Sequence, residues 1–379
     1  MKWYREIRLA VKRCLPFLLP TQGANLALLV RAILLKRTLC QTELARTYPR
    51  PSRRKVPQPK HDLLHRVKRL SRFLANEQVD PLAVQLAFLP YVLARLRPLR
   101  VVGLCIDWTY FNAPTFRVQV LKIGLARCGR VIPLLQLAYD RDNLPADRSQ
   151  NQIEEEALAL VLAALPKGCH PIILADRGFA RSEFFAWLIA RQVDFVVRID
   201  KGTCVTAAGD VRHKLGVDLS IGLGEQRWLG RVRYALHHGR PNDIWLNVGC
   251  SWLPAASAAA RKDPAEPDEP GFLATTAPSV ALAVAWYRKR FWVEESFKDD
   301  KSRLLLDEVR VESTLRLDRL LMALTIAVAW LCLIADPKAG VLPTNWNAAV
   351  VTWGKASLIL QALVYLDDGN LLPQIFEAT

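Results

Sequence analysis

Between residues 100 and 199 short apolar runs alternate with amphipathic ones, and their order limits the fold more than any other feature. Residues 101–107 (VVGLCID), 115–126 and 130–139 read as three strands. TYFNAP joins the first two, and Cys128–Gly129 turn the second into the third, which predicts an antiparallel meander. Residues 149–165 read as a helix with Glu154, Glu155 and Glu156 early, where the helix dipole favours acids. Residues 171–176 (PIILAD) form a further buried strand. Residues 182–192 read as a helix capped by Ser182, and residues 194–199 (DFVVRI) as a last strand. This succession belongs to the α/β class. Two of its strands end in an acid, Asp107 and Asp176. If the first and fourth strands are parallel neighbours, those acids lie side by side at the carboxyl edge, where open α/β sheets place their sites.

Residues 201–275 contain glycines and short β-like pieces (226–235, 244–252), and they end in LPAASAAARKDPAEPDEPG, which reads as a loop. This is a β-rich insertion. A helix over about 279–301 follows, carrying YRKRFWVEESFKDDK at 287–301. Tyr287, Arg290, Glu294 and Lys301 fall within an arc of roughly 60° at about 100° per residue. Trp286, Phe291, Trp292, Val293 and Phe297 flank them, so the helix is at least partly buried and its charges need partners. Glu294 would complete a set of three carboxylates with Asp107 and Asp176. Such a set repels itself unless a hard divalent cation binds. Two Mg²⁺ ions ~3.5–4 Å apart would clamp a phosphodiester, and Arg290 and Lys301 would meet phosphate charge. Against this stands the plainer reading of each strand-end aspartate as a turn or cap residue. Glu295 points about 100° away from Glu294.

The net charge of +16 is placed unevenly. The first hundred residues hold 21 Lys and Arg against 5 Asp and Glu, which accounts for the whole excess. A basic module on a neutral body is the footprint of nucleic-acid binding. Within it, residues 24–36 form an apolar helix. Residues 38–45 resemble the first helix of a helix-turn-helix, with Thr38 as cap and Leu39 and Leu44 inward. Residues 47–60, with four prolines and five cations, read as an extended basic loop. Residues 61–75 form a basic amphipathic helix whose Arg66, Lys68, Arg69 and Arg72 are candidate phosphate contacts. The eight cysteines include no C-x-x-C pair, which argues against a zinc ribbon and points to a reducing cytoplasm. The N-terminus has no signal-peptide pattern. The 16-residue apolar run at 320–335 is short of the ~20 residues a membrane span needs, so a core helix and no membrane are expected.

These residues carry a resemblance. The chain is similar to the DDE transposases of bacterial insertion sequences, of the insertion-sequence-four type. Their signature Y-(2)-R-(3)-E-(6)-K is matched by Tyr287, Arg290, Glu294 and Lys301. Their second-acid motif is matched by ADRGF with Asp176, and the first by LCIDWT with Asp107. The likeness covers roughly 100–335, more loosely 60–80. It implies a ribonuclease-H-like catalytic core with a β-rich insertion, preceded by a helical DNA-binding domain. The divisions would be 1–96 (basic, helical), 97–200 (first part of the core), 201–275 (insertion), 276–336 (second part of the core) and 337–379 (helical tail). It implies catalysis and metal binding by Asp107, Asp176 and Glu294, and DNA contacts from Tyr287, Arg290 and Lys301. It also implies two Mg²⁺ ions for which Mn²⁺ substitutes. The partners would be double-stranded DNA, both terminal inverted repeats and target, and a second copy of the chain in the bound dimer. In relatives a flipped base stacks on a tryptophan of the insertion; Trp228, Trp245 and Trp252 are candidates, each also readable as core. Two alternatives stay open: a ribonuclease-H-like nuclease without strand transfer, and a decayed DNA-binding protein.

Overall fold

The computed structural model describes residues 2–49, 59–96, 98–219, 221–234, 244–252, 270–336 and 362. Most of the basic loop at 47–60, the Pro/Ala/acid stretch after 252 and the tail after 336 lie outside the described residues. The chain divides into two compact units. One comprises Met1–Leu99, Trp108–Lys167 and Val293–Thr379, the other Arg100–Asp107 and Gly168–Trp292.

In chain order the elements begin with helices α1 (Lys2–Cys14), α2 (Pro20–Lys36), α3 (Gln41–Arg46), α4 (Pro59–Leu74) and α5 (Pro81–Arg95). Then come strands β1 (Val101–Asn112), β2 (Arg117–Arg127) and β3 (Arg130–Asp140), helix α6 (Gln150–Ala163) and strand β4 (His170–Ala175). Helix α7 (Ser182–Ala190) and strand β5 (Asp194–Ile199) follow. Residues 201–275 contribute β6 (Cys204–Thr206), β7 (Arg212–Lys214), the short α8 (Leu215–Asp218), β8 (Gln226–Tyr234), β9 (Ile244–Ser251) and β10 (Gly271–Thr275). Helix α9 (Val280–Lys298), a π-helical segment (Asp299–Arg303) and α10 (Thr314–Ala335) close the described chain. The ten strands hydrogen-bond in the order β3-β2-β1-β4-β5-β10-β9-β8-β6-β7. The meander and the strand–helix alternation agree with the sequence pattern.

In the first unit α10 is the core. Every residue from Arg319 to Ala335 is buried, and the helix packs on β3, α5, α2 and α4. Among the described residues it is the one helix long and apolar enough to cross a membrane, yet its surface is spent on other helices and a sheet. Its one buried cation, Arg319, donates to the backbone carbonyls of Val79 (2.9 Å) and Leu74 (3.1 Å), fixing the turn between α4 and α5. A polar cluster pins α5, β3 and α10 together. The Gln85 amide exchanges two 2.9 Å bonds with the Gln136 backbone, and Thr325 bonds both glutamine side chains. One acceptor of the cluster, Gln136 Oε1, is buried with no hydrogen-bond partner, which offsets part of the stabilisation such a network gives. The β2–β3 register shifts between Ile123 and Gly124, where Pro133 sits opposite, as proline in a strand requires a bulge or an edge. A Cβ at Gly124 would stand 2.5 Å from the Ile132 carbonyl oxygen, so only glycine fits.

Three local expectations fail. β1 runs on to Asn112 rather than stopping at 107, because Trp108, Thr109, Tyr110 and Phe111 are themselves good strand formers. Ser182 is buried inside the first turn of α7 while Arg181 occupies the cap position. Glu154 is not a dipole partner at the start of α6. It is buried and accepts the Trp108 indole N–H at 2.7 Å. Thr38 caps the turn before α3, accepting from the Cys40 N–H at 3.0 Å, and the helix starts later, at Gln41.

Asp318 accepts the Ala138 backbone N–H at 2.7 Å, and desolvation pushes its carboxyl up to about 7 from 3.8. Its protonated form is favoured in the fold. The stability this adds is complete below the unfolded pKa and is lost as pH rises through about 7. Chemical denaturation at about pH 5 and about pH 8 should therefore show lower stability at the higher pH. Asp318→Asn, which keeps the acceptor oxygen, should flatten that difference.

Candidate active site

In the second unit β1 and β4 are parallel, with Val101 opposite His170 and Cys105 opposite Leu174. Two more steps in this register bring Asp107 level with Asp176. Asp107 is mid-strand, so the expected adjacency does not come from the end of β1. It arises because β4 stops at Ala175 and Asp176 follows at once. Leu104, Cys105 and Ile106 are fully buried and Asp107 is 8% exposed. A carboxylate there needs a compensating partner. Arg290 of α9 supplies it: Nη2 lies 2.9 Å from Asp107 Oδ2 and 3.5 Å from Asp176 Oδ2. One guanidinium thus bridges two carboxylates.

The second acid is held by its own loop. Asp176 Oδ1 accepts the Gly178 N–H at 2.8 Å and caps the single 3-10 turn Arg177–Phe179. A Cβ at Gly178 would meet Asp176 Oδ1 at 3.1 Å, so glycine keeps this approach unhindered. Phe179 is buried against Phe184, ring centroids 5.9 Å apart, which anchors the loop. Each residue of the DRGF stretch other than the exposed Arg177 therefore has a job in presenting Asp176 Oδ2. Cys105, two residues before Asp107, donates to the Lys289 carbonyl of α9, and burial pushes its thiol up to about 12, favouring the protonated form. Tyr287, one turn before Arg290, is half-buried. The Lys289 ammonium sits 3.5 Å from the centre of the Trp286 ring.

In the first unit α9 ends at Lys298 and continues as a π turn, with the Leu304 N–H on the Asp299 carbonyl. This corrects the placement of Lys301. The 100° step that put it in line with Glu294 ends three residues before it, because a π turn closes i→i+5 bonds. Lys301 Nζ instead donates to the Tyr110 carbonyl of β1 at 2.9 Å. Glu294 is half-buried in the last part of α9. Its neighbour Glu295 pairs with Lys298 at 2.5 Å and lies 3.8 Å from Arg130. Missed in the sequence was Lys122 of β2, fully buried against Asp300 and Ser296. A lone lysine in an apolar strand run and an Asp299–Asp300 pair just after a helix were the signals that could have found it.

The family model described as Transposase DDE domain matches residues 102–330, more than half of the chain. The chain belongs to this family. A comparison with curated proteins finds no match. The matched span contains Asp107, Asp176, Tyr287, Arg290, Glu294 and Lys301.

The basic helix α4 of this DDE transposase lies before the matched span, in the first unit. Its four candidate cations differ in kind. Arg66 is half-buried and donates to the Arg46 carbonyl at 3.0 Å, tying α4 to the end of α3. Arg69 lies exposed, with Nε on Asn25 of α2 at 2.8 Å and its guanidinium 5.8 Å from the Tyr48 ring centre. Lys68 and Arg72 are exposed. With Arg69 they line a cleft of about 430 Å³ whose lining includes no acidic side chain. On β9, Trp245 is 45% exposed with Arg231 5.8 Å from its ring centre. Trp228 and Trp252 are half-buried, and the Trp228 ring lies over Gly249, where even a Cβ would come within 3.0 Å.

The transposase's two facing carboxylates offer oxygen donors of the kind hard divalent ions take, and a cation, Arg290, already bridges them. Among the described residues no three His, Cys, Asp or Glu side chains stand close enough together to hold a metal ion. The pair fits such an ion chemically. Arg290→Ala should leave the buried Asp107 uncompensated and lower the unfolding free energy by about 3 kcal/mol. Exposed Arg177→Ala should change it by less than about 0.5 kcal/mol. Urea denaturation of the two variants checks the contrast.

Proposed function

We propose that this transposase is of the insertion-sequence-four type, cleaving transposon ends and joining them to target DNA. The observation that carries the reading is the in-register convergence of Asp107 and Asp176 on Arg290, inside the span matched by the family. The catalytic core is of the ribonuclease-H-like kind, over 97–200 and 276–336. Residues 201–275 are its insertion, 1–96 the DNA-binding domain and 337–379 a helical tail. Asp107, Asp176 and Glu294 are the catalytic carboxylates and would hold two Mg²⁺ ions, or Mn²⁺ in their place. Bound there, the ions supply Lewis acidity to a phosphodiester oxygen and lower the pKa of water.

The chain's own residues do the rest. The Asp176 loop fixes one carboxylate by its backbone bond and leaves Oδ2 toward Asp107's side of the sheet. Arg290 neutralises the pair, and with a divalent ion held by the carboxylates its guanidinium would be available to phosphate oxygens. Lys301 and Tyr287 hold phosphates near the cut. In the first step a water oxygen bonds to phosphorus, the P–O3′ bond breaks, and the leaving 3′ oxygen takes up a proton. In the second, that 3′-OH attacks a target phosphodiester and releases a target 3′-OH. Lys68, Arg69 and Arg72 carry non-specific backbone affinity. Two copies pair the two ends, in a bacterial cytoplasm. Trp245, the exposed tryptophan of the three, is the one able to stack on a flipped base.

The test is end cleavage of a plasmid carrying the DNA on both sides of the coding sequence. Asp107→Ala, Asp176→Ala and Glu294→Ala should each abolish Mg²⁺-dependent cleavage, leaving DNA retention in a gel shift. Full cleavage by any one of them would remove it from the site. A separate measurement addresses the basic module. Lys68→Ala and Arg72→Ala should each reduce the slope of log affinity against log salt by about 1. A wild-type affinity indifferent to salt would count against the module's role.

A further inference from the structure

Lys122 is fully buried in a strand, and so is its partner Asp300. Lys122 Nζ lies 2.5 Å from Asp300 Oδ2, 3.2 Å from Ser296 Oγ and 4.4 Å from the Phe297 ring centre. The next residue back, Asp299, is also buried. Its Oδ2 accepts from Arg130 Nε and its Oδ1 from Arg303 Nε, both at 2.7 Å. All these residues belong to the first unit. Two consecutive carboxylates of the π turn are therefore tied down to the β2–β3 hairpin. The residue after them, Lys301, reaches the Tyr110 backbone of β1.

Stability alone does not account for this arrangement. Desolvating two charges offsets most of their attraction, and an apolar pair of similar volume serves a core as well or better. A π turn in turn is uncommon and recurs where a side chain must be re-aimed. What an ion pair supplies and an apolar pair does not is direction: Asp300 can satisfy Lys122 in one register of the turn. That register sets where Lys301 leaves the helix, since Asp299 and Asp300 immediately precede it.

We infer that Lys122 and Asp300 are positioning residues of the transposase, a buried ion pair that fixes the π turn so that Lys301 faces the DNA phosphate next to the cut. The inference rests on the reading of Lys301 as a phosphate contact.

The experiment compares wild type, Lys301→Ala, and the double variant Lys122→Met/Asp300→Leu, which removes both charges at similar volume. The probe is the flanking-sequence plasmid with Mg²⁺. The double variant should unfold at or above the wild-type midpoint and bind the flanking DNA within about threefold of wild type. Its cleavage rate at saturating protein should fall by ~10–100-fold. Adding Lys301→Ala to it should cost little more, because both changes act through the same side chain. If Lys301→Ala is slow while the folded double variant cleaves at the wild-type rate, the positioning role is overturned and the reading of Lys301 stands. If Lys301→Ala itself cleaves normally, the reading of Lys301 falls and takes the positioning role with it. Should the double variant fail to fold, Lys122→Met removes the donor and leaves a carboxyl whose pKa burial already raises. A folded Lys122→Met with an unchanged rate overturns the inference equally.

Discussion

A carboxylate placed inside a sheet cannot stay charged without a cation beside it, and Asp107 is such a carboxylate. Much of the second unit's local design follows from that constraint. Arg290 must come from a helix that lies against β1, so α9 carries it there. Its guanidinium then bridges to Asp176, which is presented from the loop after β4 with one oxygen already bound to backbone. The result is a pair of carboxylates, one largely buried and one partly exposed, that share a single guanidinium.

The first unit solves a related problem differently. Lys122, Asp299 and Asp300 lie buried under the end of α9, where Lys122 meets Asp300 and Asp299 meets Arg130 and Arg303. In both units some charged groups of the α9 region, Arg290, Asp299 and Asp300 among them, meet groups on or next to strands. The helix is therefore neither a plain core helix nor a solvated one, and its lack of a clear apolar side follows: the strand-facing positions include its most polar residues.

Much of this was legible in the sequence because it depends on short-range rules. Strand and helix order in 101–199 follows from apolar periodicity, and the burial of the 320–335 run follows from its composition. The basic charge of the first hundred residues is a matter of counting. Errors occurred where long-range contact overrides local preference. β1 continues through Trp108 and Thr109, both buried, so the acid that read as a strand end lies in mid-strand. Arg66 occupies the same helix as Lys68 and Arg72, but it is half-buried and bonds the Arg46 carbonyl, a contact that helix periodicity does not show. Glu154 read as a helix-dipole acid until the Trp108 indole claimed it.

The sequence by itself determined the α/β class, the pair of acids after two apolar runs, and the spacing of Tyr287, Arg290 and Glu294 along one helix face, because each is set by periodicities of 2.0 and 3.6 residues. Only the tertiary structure decided three things. The level match of Asp107 with Asp176 comes from the β1–β4 register. The guanidinium between them is set by the docking of α9 on β1. The turn that redirects Lys301 is held by partners 178 and 169 residues distant in sequence. Periodicity runs along the chain and says nothing of such partners, which are chosen by burial and by the need of each buried charge for its opposite.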